Sequence, residues 1–256
     1  MPESVAIVTG SSSGIGRATA IRLSRDFSAL VLAARGADAL DEVAEQVRAN
    51  GAEALAIDLD LMAPTAAETV ISQVLTRFGR IDALLNIAGA VPGIDLFQLT
   101  DEQWNTGLEL KLHGARRLTL HAWEALKATK GAVVLMAGNT AEVPTASTAA
   151  VGVINAAIVA LAKAFADRGL KDGVQVNSVS PGPVMTGRRL SMIEKWAMAN
   201  DVSIDAAKQK LLMQAGISRY GEPEDIAELM AFLVSPAARW LTGTQLRIDG
   251  GEVRSI

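Results

Sequence analysis

The residues most plainly arranged for chemistry stand at the start of the chain. Val5-Ala6-Ile7-Val8-Thr9 runs into Gly10-Ser11-Ser12-Ser13-Gly14-Ile15-Gly16, where a helical pattern begins. Gly10 permits a tight turn, Gly14 lets backbone approach a pyrophosphate, and Gly16 lets the helix pack close to the strand. Gly10, Ser12, Ser13, Gly14, Ile15 and Gly16 therefore form a candidate phosphate cradle, with free N–H groups and the positive helix end facing the anion. The order strand, glycine turn, helix favours this reading over a glycine turn without a ligand.

A site that holds an unphosphorylated adenosine ribose places a carboxylate about 20 residues past the glycine loop. Here the second apolar run ends Ala33-Ala34-Arg35-Gly36, with no acid before Asp38. Arg35 instead offers a planar cation to a 2′-phosphate. The expected cofactor is NADP, in preference to NAD.

These residues need elements to position them. Val5–Thr9, Ala29–Ala34, Glu53–Ile57, Ile81–Asn86, Gly131–Ala137, Val174–Val179 and Thr244–Ile248 read as strands, most of them nearly continuous in apolar residues. Ile15–Phe27, Asp38–Asn50, Pro64–Phe78, Asp101–Ala128, Thr148–Leu170 and Pro223–Val234 read as helices. The alternation predicts an α/β fold: a single doubly wound Rossmann domain over 1–256, with a seven-stranded, mostly parallel sheet and helices on both faces. The stretch 182–216 is the irregular part: long, helical in places, and rich in Met and Lys. It reads as a lid over a ligand, or as an excursion covering the sheet edge.

Composition narrows the function. The chain has 256 residues, 50% hydrophobic, with a net charge of −4. A mild acidic excess argues against nucleic acid as a partner. There are no cysteines, which excludes disulfides, thiolate metal sites and a cysteine nucleophile. No metal site is expected. The N-terminal residues lack a basic segment followed by a long apolar run, and no stretch reaches roughly 18 uninterrupted apolar residues. A cytoplasmic protein without a membrane partner is expected.

The signature Thr9-Gly10-(three residues)-Gly14-Ile15-Gly16 resembles the nucleotide motif of the short-chain dehydrogenase/reductase family. Asn86-Ile87-Ala88-Gly89 is similar to the family's element after the fourth strand, and Asn177-Ser178-Val179-Ser180-Pro181-Gly182-Pro183-Val184-Met185-Thr186 to its Pro-Gly loop beside the nicotinamide. Arg219–Ala227 and Leu241-Thr242-Gly243 with Asp249-Gly250-Gly251 match its C-terminal pattern. The resemblance implies that Asp58 touches the adenine and that Asn86, Ala88 and Gly89 line the adenine-side ribose. It also implies that Pro181 and Gly182 flank the nicotinamide and that Thr186 bonds its carboxamide.

The family's usual chemistry uses a tyrosine, a lysine four residues later, a serine and an asparagine. Aligned on Leu161-Ala162-Lys163-Ala164-Phe165-Ala166, the tyrosine position falls on Val151, the lysine position on Asn155 and the serine position on Gly138. Counting from Trp104, the asparagine position falls on Lys111. The chain's one tyrosine, Tyr220, lies elsewhere. The resemblance thus implies an atypical member lacking the Asn-Ser-Tyr-Lys tetrad. Lys111 and Asn155 are the candidate catalytic residues: Lys111 either as an acid of lowered pKa or as a replacement for the missing lysine's charge, and Asn155 as a partner of the nicotinamide ribose. Asn139, Thr140, Ser147 and Thr148 supply polar groups for orienting a carbonyl. His113 and His121 are read as structural.

Two main readings follow. One is an NADP(H)-dependent oxidoreductase acting on a small carbonyl or alcohol. The other is a catalytically silent NADP(H)-binding protein that senses the nucleotide or supports a partner subunit. A non-redox lyase or isomerase has no positive support. Arg188, Arg189 and Lys195 are candidates to meet an anionic substrate, or are simply solvated. The apolar character of Thr148–Ala166, with the resemblance, implies a homodimer or homotetramer.

Overall fold

The structure, a computed structural model, describes residues 2–255. The strands are β1 (Val5–Thr9), β2 (Ala29–Ala34), β3 (Glu53–Asp58), β4 (Ala83–Asn86), β5 (Ala132–Met136), β6 (Gln175–Pro181) and β7 (Gln245–Ile248). They form one sheet in the order β3-β2-β1-β4-β5-β6-β7, and all six pairings are parallel. The expected "mostly parallel" sheet is therefore parallel at every pairing.

The long helices are α1 (Gly14–Leu23), α2 (Ala37–Ala49), α3 (Ala66–Phe78), α4 (Asp101–Gly107), α5 (Gly114–Thr129), α6 (Ala149–Asp172), α7 (Gly187–Ala199), α8 (Ile204–Ala215) and α9 (Pro223–Val234). Side chains alternate across each strand, so one strand serves two cores. Ile7 and Val31 pack with Val74 of α3, Leu118 of α5 and Ile158 of α6. Their neighbours Val8 and Leu32 pack on the other face with Leu23 of α1, Val43 of α2 and Met230 of α9. This double coverage explains the unbroken apolar strands. Truncating Ile7 or Leu32, both fully buried, to alanine would cost about 2–5 kcal/mol.

Helix starts follow the sequence signals. The Thr100 hydroxyl accepts from the Gln103 N–H at 3.3 Å, and the Gln103 side chain accepts from the Thr100 N–H at 3.1 Å. Pro223 opens α9, and the Asp225 carboxylate accepts from the Glu222 N–H at 2.8 Å.

Two expectations are corrected. The predicted helix Asp101–Ala128 is not continuous, because a π-helical turn at Leu108–His113 separates α4 from α5. Apolar periodicity does not record that extra residue per turn. The stretch 182–216, expected to be helical in places, carries α7 and α8, which share a small core of Ile193, Ala197 and Ala207. The first helix stops at Leu23, and Ser24–Asp26 form a turn.

The helical stretch Ala146–Asp172 is long and apolar enough to cross a membrane by length and composition. Here it spends Ile154, Ile158, Ala162 and Ala166 on the protein core.

Candidate functional site

The strand order reverses between β1 and β4, and a crevice opens at the carboxyl ends of the strands there. The chain lines it with the glycine turn, the end of β2, the loop after β4 and the end of β6. The cleft has a volume of about 540 Å³.

The glycine turn is built as its spacing predicts. Gly10 has φ +68° and Gly14 φ +52°, conformations that side-chain-bearing residues seldom adopt. A Cβ on Gly16 would lie 2.1 Å from the Gly10 carbonyl oxygen, so only glycine permits this approach of helix to turn. Ser13 precedes α1 without a side-chain cap, and the first turn contains no acid. The first helical N–H to find a backbone partner is that of Arg17, which donates to Ser13 at 3.1 Å. The preceding N–H groups are left for an anion.

Thr9 ties this turn to the opposite wall. Its hydroxyl accepts from the N–H groups of Ile87 and Ala88 at 2.9 and 3.0 Å. That bond places Ala88 and Gly89 at the cleft surface.

Most predicted nucleotide residues line the cleft: Gly10, Ser12, Ser13, Gly14, Ile15 and Gly16 from the turn, Arg35 just after β2, Ala88 and Gly89 after β4, Pro181 at the end of β6, and Gly182 and Thr186 beyond it. Asp58 and Asn86 are not among the residues that line it. The Asp58 carboxylate accepts from the Gly36 N–H at 2.9 Å, and the lining beside it comes from Leu59, Asp60 and Leu61. Asn86 is buried and donates to the Thr119 hydroxyl at 3.2 Å.

Arg35 is well exposed at the rim, with Asp60 at 3.9 Å. The Thr186 hydroxyl caps α7 by accepting from the Arg189 N–H at 3.2 Å, which leaves its own proton to donate.

A second cavity of about 420 Å³ adjoins this cleft and shares Gly89, Lys111, Pro181, Gly182, Thr186 and Arg188 with it. Lys111, on the π-turn, reaches into both. Its ammonium donates to the Asn155 side-chain oxygen at 2.5 Å and to the Ala137 carbonyl at 2.9 Å. The Asn155 amide donates onward to the Thr140 hydroxyl at 2.8 Å. Burial, and after it the nearby Arg188 guanidinium, push the Lys111 ammonium down to about 7.

Gly138 and Val151 border the same cavity. A Cβ on Gly138 would meet the Asn155 amide nitrogen at 2.6 Å, so the glycine and the asparagine fit together. His113 and His121 do not line either cavity.

Glu252 was not singled out in the sequence, yet it lines the second cavity and accepts from the Asn139 amide. Burial pushes its carboxyl up, opposed by the Asn139 donor and the Arg189 charge. The Asp249-Gly250-Gly251 motif just before it was the available signal. No cluster of metal-ligating side chains occurs among the described residues.

A glycine-turn cradle at a strand-order switch point defines a dinucleotide-binding α/β protein. The comparisons with known proteins agree. Residues 10–252 match the family model described as enoyl-(acyl carrier protein) reductase, and the chain belongs to the short-chain dehydrogenase/reductase family of oxidoreductases. A 3-oxoacyl-[acyl-carrier-protein] reductase of Synechocystis is 30% identical over 252 residues, 97% of this chain and 96% of its own. L-sorbose reductase from Gluconobacter frateurii, solved with NADPH and L-sorbose, has a TM-score of 0.94 at 29% identity, covering 99% of this chain and 97% of its own. A variant of actinorhodin polyketide ketoreductase with NADPH has a TM-score of 0.91 at 30% identity, covering 97% of each chain.

Proposed function

We propose that this chain is an NADP(H)-dependent oxidoreductase that reduces a small carbonyl compound, or oxidises the corresponding alcohol, with a non-standard acid in place of the family tyrosine. The cradle suits the dinucleotide: α1 is uncapped, and the backbone stays open at Gly10, Gly14 and Gly16. Arg35 is the cation for the 2′-phosphate, and Asp60 holds its guanidinium at the rim. Thr186 offers a hydroxyl proton to the carboxamide. The neighbours solved with NADPH support the same cofactor. Bound there, the nicotinamide supplies a hydride to the carbonyl carbon.

The observation that carries the catalytic reading is Lys111. An ammonium has three N–H donors. Two are taken by Asn155 and Ala137, and the third is free for a substrate oxygen in the cavity. A proton leaves the Lys111 Nζ for that oxygen as the carbonyl is reduced. The Lys111–Asn155–Thr140 chain holds the nitrogen in place, and solvent returns the proton. A value near 7 balances proton availability against acid strength. Val151, at the tyrosine position, contributes only apolar wall.

We further assign the whole chain to one domain, with α7 and α8 as the cover over the substrate end. Half-exposed Leu120 on α5 and Val153 on α6 support assembly of two or four copies through these helices.

The test is a fluorescence titration with NADPH and NADH on the wild type and Lys111→Ala, followed by turnover on a panel of ketones. Tighter NADPH binding by both proteins, with turnover lost only in the variant, is expected. Equal turnover in Lys111→Ala would remove the lysine from the chemistry, and no nucleotide binding by the folded wild type would remove the reading as a whole.

A further inference from the structure

The substrate cavity contains more positive charge than the reduction of a neutral ketone requires. Besides Lys111, both Arg188 and Arg189 enter it from the first turn of α7. The two arginines differ in what they do. Arg188 is occupied, donating to the carbonyls of Val91 at 2.5 Å and Gly89 at 3.4 Å, which straps α7 across the mouth of the cleft. The Arg189 guanidinium has no hydrogen bond or ion pair among the described residues; only its backbone N–H is engaged, by Thr186.

Glu252 is the one acid lining the cavity among the described residues, and its carboxylate is bonded to the Asn139 amide. Besides Glu252, the groups that face Arg189 are the Tyr220 ring, whose hydroxyl donates to the Lys208 carbonyl at 3.0 Å, and the like-charged Arg188 guanidinium. A partly desolvated guanidinium with its donors free is a costly arrangement unless a ligand completes it. A planar fork of N–H groups matches a carboxylate in two-point contact better than any neutral group. Met192, Val151 and Val184 give the rest of the cavity an apolar lining.

We propose that the substrate is an oxo acid, a short carbonyl compound carrying a free carboxylate, with Arg189 binding the carboxylate and the ketone directed to Lys111. This deepens the reading given under Proposed function and rests on it for the site, though not on Lys111 being the proton donor. Arg189 sets specificity; it takes no part in proton transfer. The cavity of about 420 Å³ suits an acid of a few carbons between two fixed cationic ends.

Calorimetric binding to the NADPH-loaded protein tests it with 2-oxobutanoate, 3-oxobutanoate and 4-oxopentanoate, each against its methyl ester. At least one acid is expected to bind about tenfold or more tighter than its ester, as loss of one charge-assisted contact implies. Arg189→Met is expected to bring that ratio to about one, and Arg189→Lys to keep part of it. An ester bound as well as its acid throughout the panel, or an acid preference that survives in Arg189→Met, would overturn the proposal. Because binding is read directly, a failure of turnover or of the Lys111 assignment leaves this result separately interpretable. Thermal unfolding of Arg189→Met checks that the variant is folded.

Discussion

The ammonium of Lys111 and the side-chain oxygen of Asn155 lie 2.5 Å apart, joining the π-turn before α5 to the second turn of α6. The pair takes the floor of the substrate cavity, and Gly138 is small because Asn155 is there. Asn155 supplies an oxygen acceptor from α6, and Lys111 supplies a cation from the facing helix.

The proposed role of Lys111 as the acid implies a pH dependence. Burial depresses the Lys111 ammonium to about 7, so the acid form dominates only below that value. Carbonyl reduction is expected to fall as pH rises through about 7, and alcohol oxidation to rise over the same range. Steady-state rates from pH 5.5 to 9 check both limbs. A profile identical in Lys111→Arg, whose guanidinium does not titrate there, would separate the lysine from the titration.

Gly138→Ser restores the family residue at one position, yet its Cβ would press on the Asn155 amide at 2.6 Å. The single substitution is expected to cost about 1–3 kcal/mol through overpacking and to lower turnover. Adding Asn155→Ala should recover most of the stability. Chemical denaturation of the two variants measures the coupling.

Arg35→Ala should weaken NADPH binding by about tenfold, the low end for a charged contact because the side chain is exposed. NADH affinity should change little. Parallel fluorescence titrations give the ratio, and an equal loss for both cofactors would place Arg35 outside phosphate recognition.

Asp172, at the end of α6, is held down to about 2 by the Arg168 guanidinium and then by the Trp123 indole N–H, which donates to it at 2.8 Å. Its folded value lies below its ordinary one, near 3.8. The stabilisation is therefore complete above about 4 and is lost as pH falls through about 2. Asp172→Asn should be less stable than the wild type at pH 7, with the difference closing towards pH 2. Urea midpoints at several pH values test this.

The cofactor end was legible in the sequence because its demands are local. Gly10, Gly14 and Gly16 follow a strand at fixed spacing, and no distant residue is needed to read them. The hydrogen bonds of Asp58 to the Gly36 N–H and of Asn86 to the Thr119 hydroxyl join residues far apart in the chain, which spacing does not record. The π-turn was invisible because one added residue leaves the apolar stripe largely intact. Glu252 enters the cavity only through the path of the chain after β7. The Lys111–Asn155 pairing was partly legible, as two positions facing one space, but the fit of Asn155 to Gly138 is a matter of tenths of an ångström that no spacing encodes.

The Thr9 hydroxyl has a bearing on how the nucleotide enters and leaves. It sits at the root of the glycine turn and holds two consecutive N–H groups of the loop after β4, so neither wall can swing away while the other stays fixed. Opening at this end of the crevice becomes a single concerted event, and amide exchange at Ile87 and Ala88 should slow together with Gly10 when nucleotide is bound.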